Sequence, residues 1–403
     1  MSDGADVYRS GEKVARIERT PKGSRFEYEE AFYEIHSRKP GGIALHLPYS
    51  KRSVETTGVN LHTFFANLLP EGLRLRALVA RTKTSEDDLL TLLVAAGADC
   101  VGDISVSPEG QPPRETSPSV DVARIEDSVF ADLLQRSLGY DPGRAEPSVP
   151  GVQEKISAIK VSFPLRSGRG PRSYLLKLNP SDKPSMVQNE EFFLRMGQAC
   201  GLEVATVKIV HDKVGAVGLL VERFDRVPGG SGIGLVGLHQ EDACQLLDRY
   251  PADKYRISSA EIAEALAICS APIVEVGRFI RLSAFSYLIG NGDLHAKNVS
   301  VRWAAGGEPV SLTPAYDLLS TLPYGDDRMA LKLDGRDDNL KRRTFLEFGL
   351  RYGVRERACC AILDEIVEAS SVWIDRIEEI GLPTKKAEHL RTVMRKRRQD
   401  LSD

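Results

Sequence analysis

Asp293 and Asn298 lie five residues apart in the segment NGDLHAKNVS. That spacing suits the catalytic loop of a phosphotransferase. One carboxylate there sits beside the hydroxyl to be phosphorylated, and one amide sits on the metal that holds the ATP phosphates. Such a site needs a second carboxylate at a nearby strand end. Asp317, in LTPAYDLLS, follows 24 residues after Asp293, beyond the apolar stretch VSVRW, the turn AAGGEPV and a further short apolar stretch. Asp and Asn also favour ordinary turns and caps, so Asp293 and Asn298 alone carry little. With Asp317 beside Tyr316, the set reads as an ATP-dependent kinase. His295 reads as a structural hydrogen-bonder, because a loose phosphoryl-transfer transition state needs one base and otherwise positioning and charge neutralisation. Lys297 directly precedes the expected metal ligand and is assigned to the transferring phosphate rather than to solvent.

These groups require strands ahead of the loop and helices around it. ISAIKVSF and SYLLKLN read as two strands joined by a basic turn, with Lys177 between apolar neighbours in the second. A lysine on a buried sheet face needs an anionic partner. NEEFFLRMGQACGL keeps a helical apolar stripe through Phe192, Met196, Ala199 and Cys200 and stops at Gly201. Glu190 or Glu191 can then face Lys177 and hold it for the phosphates, as a strand lysine and a helix glutamate do in protein kinases. The hairpin from VATVKIV to VGLLVERFDR ends where a hinge between lobes belongs, and main-chain groups of Glu222, Arg223 and Phe224 are placed to read an adenine edge. Beyond it the chain is mostly helical, apart from the hairpin around Asn298 to Asp317. Strands first, helices after and chemistry at the junction make a bilobal α+β arrangement. SVPGVQEKIS, Ser148 to Ser157, stands where a phosphate-covering loop belongs. Gly151 is its one glycine, so it is neither GxGxxG nor a Walker A loop, and Glu154 with Lys155 also fits a solvated pair at a strand start.

With 403 residues, 42% hydrophobic and 28% charged, the chain suits roughly two to three globular domains. A net charge of −3 and a pI near 6.2 argue against a nucleic-acid coat or a membrane-surface protein. The six cysteines have no CxxC spacing and no histidine partners at zinc-ligand distance, so reduced thiols are expected. MSDGADVYRSGEKVARIERT has no apolar core of a signal peptide, and no stretch approaches the ~18 apolar residues of a membrane span. A cytoplasmic protein is expected. SPEGQPPRETSPSVD, with four prolines, reads as linker and divides the chain into residues 1–107, a linker over 108–121, a lobe over 122–225 and a helical lobe over 226–403. In the first part, VARIER, RFEYEE and GIALHLP read as a small antiparallel sheet. Helices follow near Leu61 to Ala80, interrupted at Pro70, and from Asp87 to Ala96, with Ser85 as cap and Asp88 as its acidic partner. No catalytic constellation is visible there. His239, Gln240 and Glu241 read as a helix N-terminal cluster, and RTVMRKRRQ as a basic last helical turn that complements the helix dipole.

FFANLLPEGLR, GADCVGDISVSP, SVPGVQEKIS, YLLKLNP, NEEFFLRMGQACGL, LVERFDR, LHQEDACQLL, IGNGDLHAKNVSV and LTPAYDLLST, in that order, resemble the HipA family of toxin kinases over nearly the whole chain. The resemblance implies a serine/threonine kinase of a type II toxin–antitoxin system, with a protein-kinase-like fold akin to lipid kinases and a small N-terminal sheet-and-helix subdomain. It implies a HipB-like antitoxin carrying a helix-turn-helix, contact with DNA only through that complex, and inhibition of translation by phosphorylation of an aminoacyl-tRNA synthetase. By motif, Asp293 matches the base, and Asn298 and Asp317 the Mg²⁺ ligands. Lys177, with Pro150, Gly151, Val152, Gln153, Glu154 and Lys155 of the covering loop, matches the ATP phosphate site. Glu222, Arg223 and Phe224 match the adenine site, and His295, Ala296, Lys297, Asn298 and Tyr316 complete the nucleotide shell. Ser148 matches the family's autophosphorylated serine, where about −1.5 to −2 of added charge at pH 7 would disfavour a loop built to close on ATP phosphates.

Two other functions fit the residues less well. NGDLHAKN also looks like the loop of aminoglycoside and choline phosphotransferases, but a cationic substrate calls for an acidic cleft and a cleft rich in Lys and Arg is expected here. A non-catalytic co-repressor scaffold would not need every chemical position filled, as it is here.

Overall fold

The computed structural model describes residues 4–58, 61–114, 119–138, 161–167, 172–229, 234–304 and 306–403. Period-two burial builds the first sheet: Ser24, Phe26 and Tyr28 alternate inward along Gly23–Tyr28, as one-sided packing requires. Its order is Ser53–Thr57, Gly23–Tyr28, Glu12–Thr20, Gly4–Arg9, Ile104–Pro108, all antiparallel. The GIALHLP segment forms a separate small hairpin, Gly42–Ala44 with Leu47–Pro48. Phe65, Leu90 and Leu93 close the core beneath Phe26 and Tyr28. Helices Thr63–Asn67 and Gly72–Thr82 flank Pro70. The next helix starts later than expected, at Leu89, so Asp88 rather than Ser85 caps it by accepting from Thr91 N at 3.3 Å. The hydroxyl of Ser85, four residues ahead of the first turn, accepts instead from Asp87 N at 3.2 Å.

A second five-stranded sheet runs Val207–His211, Val217–Glu222, Ser173–Leu178, Val161–Ser167, Ser119–Val120, with only the last pair parallel. Its two faces separate successive residues of SYLLKL. Leu176 joins Leu220, Val210, Phe130 and Leu133 on the outer face, where Leu73 and Ala77 of the N-terminal helix Gly72–Thr82 also pack. Leu175 points the other way, among Leu219, Val221, Val187 and Tyr316, and Lys177 follows it by two residues.

The remaining chain packs around the helix Pro272–Ile289, buried along most of its length. Met186–Ala199, Glu356–Ile374 and Thr384–Ser402 share its core through Phe285, Phe345, Leu363, Leu390 and Met394. A three-stranded sheet, Gln240–Asp242, Ser300–Trp303, Val310–Leu312, lies beside it. The run RTVMRKRRQ is not a last helical turn but the middle of Thr384–Ser402. Arg391 and Arg395 pair with Glu378 and Asp375, and buried Arg397 donates to Tyr287 O and Asp327 O at 2.9 Å. Among the described residues, no helix is long and apolar enough to cross a membrane.

The N-terminal sheet is bolted to the rest by buried charge. Of the cluster expected at a helix start, Gln240 and Glu241 lie in the strand Gln240–Asp242 and His239 just before it, and Asp242 caps the helix Ala243–Leu246 through a capping box with Gln245. His239 donates to Asp103 at 3.1 Å and to Glu241 at 2.9 Å. Arg9 holds the other side of Asp103, and Glu241 accepts from Leu45 N at 2.8 Å. Burial alone would lower the His239 pKa, but hydrogen bonds and charge from Asp103 and Glu241 override it and push it up to about 9.

A group raised above its ordinary ~6.5 stabilises fully below that pH, and the contribution drains away as pH rises through the folded value. The upper bound is on the order of 3 kcal/mol. The melting-temperature advantage of wild type over His239→Gln is therefore expected to be about 3–5 °C near pH 6.5 and to shrink towards zero above about pH 9, measured by thermal unfolding across that range.

Candidate active site

The loop from Asn291 to Asn298 is delivered by the helix Pro272–Ile289. Gly290 ends that helix in a left-handed conformation (φ 68°), and Asn291 N bonds back to Ser286 O at 2.9 Å. A Cβ on Gly290 would lie 2.3 Å from Leu322 Cδ1, so both backbone and space demand glycine. The loop then braces itself. Asn291 Oδ1 accepts from Asp293 N at 3.0 Å, Gly292 N donates to Thr321 Oγ1 at 2.8 Å, and Asn298 Nδ2 donates to Asp293 O at 2.7 Å. The five-residue spacing thus closes a ring. It also leaves the acceptor end of the Asn298 amide, Oδ1, for a cation.

The Asp293 carboxylate is about half exposed (48%), open to a group arriving from the cleft. Burial holds His295 below its ordinary pKa against the pull of Asp293, consistent with a neutral structural imidazole. Tyr316 Oη donates to Lys297 O at 2.8 Å and meets Ser300 Oγ at 2.7 Å. Asp317 follows with a left-handed backbone (φ 55°), uncommon outside glycine and found where the surroundings over-determine it.

Lys177 is 4% exposed. Its ammonium lies 2.5 Å from Glu190 Oε1 and also bonds Asp317 Oδ1. The open choice between the two glutamates resolves to Glu190; Glu191 pairs with Arg195. Sheet, helix and loop therefore meet on one cation.

A cleft of about 480 Å³ joins these groups to the hinge, within the ~300–1,000 Å³ usual for small-molecule sites. Glu222, Arg223 and Phe224 line it, and the Phe224 and Tyr316 rings stand 5.7 Å apart. The Arg223 N–H is taken by Ser173 O at 2.9 Å. Its guanidinium is buried against Asp225 and Asp99, whose charges outweigh desolvation and raise its pKa. Arg223 thus ties the hinge to the N-terminal part. Lys297 lines the same cleft, with its ammonium turned to the N-terminal part. It donates to Asn67 O at 2.9 Å and lies 3.3 Å from Glu71 Oε1, so the N-terminal part holds it. Ser148, Pro150, Gly151, Val152, Gln153, Glu154 and Lys155 lie outside the described residues.

Sequence reasoning found no constellation in the first hundred residues, yet Asn67, Glu71, Arg74 and Asp99 line the cleft. Tyr255, whose hydroxyl donates to Asp293 Oδ1 at 2.8 Å, was also missed. Neither has a spacing signature, because both reach the loop across the tertiary fold. Among the described residues no group of three or more His, Cys, Asp or Glu gathers as a metal cage; a Mg²⁺ shared with phosphates takes one or two protein ligands.

Two family models match this chain, the HipA N-terminal domain over residues 5–107 and the HipA-like C-terminal domain over residues 147–374. It is 30% identical over 390 residues to Y4mE of Sinorhizobium fredii, a protein provisionally named as a kinase, covering 90% of each. It is 29% identical over 305 residues to the serine/threonine-protein kinase toxin HipA of Shewanella oneidensis, covering 70% of this chain and 68% of that protein. A chain of the solved Shewanella oneidensis HipA, HipB and operator DNA complex superposes with a TM-score of 0.73 at 20% identity, covering 98% of this chain and 96% of its own. The fold is the kinase-like α+β fold of that complex's chain.

Gly290→Ala is expected to cost about 2 kcal/mol through positive φ and contact with Leu322. In urea unfolding this should appear as a lower midpoint with an unchanged slope.

Proposed function

The chain belongs to the HipA family, and from that premise we propose that it is an ATP-dependent serine/threonine protein kinase, the toxin of a toxin–antitoxin pair. The observation that carries this reading is buried Lys177, held by Glu190 and Asp317 and sharing one cleft with Asp293 and Asn298. Phosphoryl transfer asks little covalent chemistry of a protein; it asks for aligned charges and one base. Asp293 accepts the proton of the acceptor hydroxyl. Lys177 neutralises phosphate charge, kept in place by Glu190. Asn298 Oδ1 and the Asp317 carboxylate suit the Mg²⁺ that accompanies ATP, which when bound supplies the transferable phosphoryl group and further charge neutralisation. Phe224 and Tyr316, packed on each other, line the space for the adenine beside the main chain of Glu222 and Arg223. His295, Ala296 and Lys297 complete the shell, Lys297 through its hold on the N-terminal part.

The covering loop Pro150 to Lys155 and an off-switch by phosphate on Ser148 belong to the same proposal, as does the division at residues 1–107, 108–121, 122–225 and 226–403. Likeness to a chain crystallised with HipB and operator DNA supports a HipB-like helix-turn-helix antitoxin, with DNA reached through that partner. We place the protein in the cytoplasm and its substrate among the aminoacyl-tRNA synthetases, so that phosphorylation inhibits translation.

Purified protein incubated with Mg-ATP should gain one phosphate, mapped by mass spectrometry to Ser148. Asp293→Asn should gain it about 10² to 10⁴ times more slowly. ATP binding with no transfer in either protein would instead favour a small-molecule acceptor or a scaffold.

A further inference from the structure

Tyr255 is half exposed, yet its hydroxyl is committed. It lies in the turn after Pro251–Asp253 and donates to Asp293 Oδ1 at 2.8 Å. Burial, and the neighbouring Asp293 charge, raise its pKa well above the ordinary phenol, so the hydroxyl remains a donor. Among the described residues, no hydrogen bond is made to the other oxygen, Asp293 Oδ2. A carboxylate on a broad two-fold torsion is fixed once one oxygen is held, and the second then faces a defined direction. Tyr255 is itself gripped. Its ring meets His295 edge-on at 5.1 Å, and the Lys254 ammonium stands 5.3 Å from its ring centre. Lys254 O accepts from Ala296 N at 3.1 Å, and Lys254 Nζ bonds Glu71 Oε2 at 2.5 Å. Burial would raise the Glu71 pKa, but Lys297 and Lys254 together lower it. Glu71 is therefore a carboxylate shared by two lysines, Lys297 within the loop and Lys254 in the turn beside it.

We propose that Tyr255 is an acceptor-side positioning residue, holding Asp293 Oδ1 so that Oδ2 receives the acceptor hydroxyl, and that Glu71 of the N-terminal domain sets it through Lys254. The N-terminal domain is thereby part of the phosphoryl-transfer machinery. This rests on the kinase reading above. It adds no step to the transfer; the acceptor proton goes to Asp293 Oδ2 and Tyr255 keeps its own.

The test is single-turnover transfer from Mg-ATP by full-length wild type, Tyr255→Phe, Glu71→Gln and the double variant, with affinity for a fluorescent ATP analogue and melting temperature measured alongside. Tyr255→Phe is expected to be about tenfold slower, the worth of one hydrogen bond to a charged group, with nucleotide affinity and melting temperature unchanged. Glu71→Gln should be slower by less, and the double variant no slower than Tyr255→Phe. A rate equal to or above wild type would overturn the proposal and mark Tyr255 as an occupant that must leave. Loss of affinity and stability in step with rate would overturn it in favour of a structural tyrosine, and additive slowing in the double variant would break the link to Glu71. Wild type that binds nucleotide but transfers nothing would remove the kinase reading and this proposal with it.

Discussion

An ammonium group removed from water is a liability of several kcal/mol unless its partners are already in place. Lys177 makes that the organising condition of the molecule. Its partners come from elements far apart in sequence, Glu190 on the helix after its own strand and Asp317 after the hairpin of the second lobe. The charge is compensated only when sheet, helix and loop have all docked. Strand period two puts Leu176 into the outer core and Lys177 on the opposite face, so the same alternation that builds the sheet aims the lysine at the cleft.

The same logic extends to the N-terminal part. Arg223 with Asp99, His239 with Asp103, and Lys254 and Lys297 with Glu71 are charges from the rest of the chain answered by groups of residues 1–107. The first two are well buried and set the hinge and the inter-sheet contact. The third is more open to water and touches the loop that carries Asp293. Glu71 thereby joins residues 1–107 to two lysines of the segments around Asp293.

Local pattern made much of this legible. Alternating burial marked the strands, Pro70 the break between Thr63–Asn67 and Gly72–Thr82, and Gly201 a helix end. Asp293, Asn298, Asp317 and Lys177 could be read because a ring closed within six residues and a lysine among apolar neighbours leave a trace in sequence. What escaped depends on distance through the fold. Nothing local distinguishes Glu71 from a solvated helix-start residue, or Tyr255 from a surface tyrosine. Ser85 as cap with Asp88 as its acidic partner and Asp88 as cap itself differ by a one-turn shift of the helix start, which is invisible in composition. The RTVMRKRRQ run looked like a helix end, but Arg397 is buried against main-chain carbonyls of two other segments, information that lies in those segments.

The central claim is that Lys177, fixed by Glu190 and Asp317, makes this cleft a Mg-ATP site. Calorimetric titration with a non-hydrolysable ATP analogue, with and without Mg²⁺, on wild type and Lys177→Met with matched circular dichroism, tests it most directly. The account predicts Mg²⁺-dependent binding to wild type and affinity weaker by about tenfold or more in the variant. Binding that ignores both Mg²⁺ and Lys177, or no binding to a folded wild type, would contradict it.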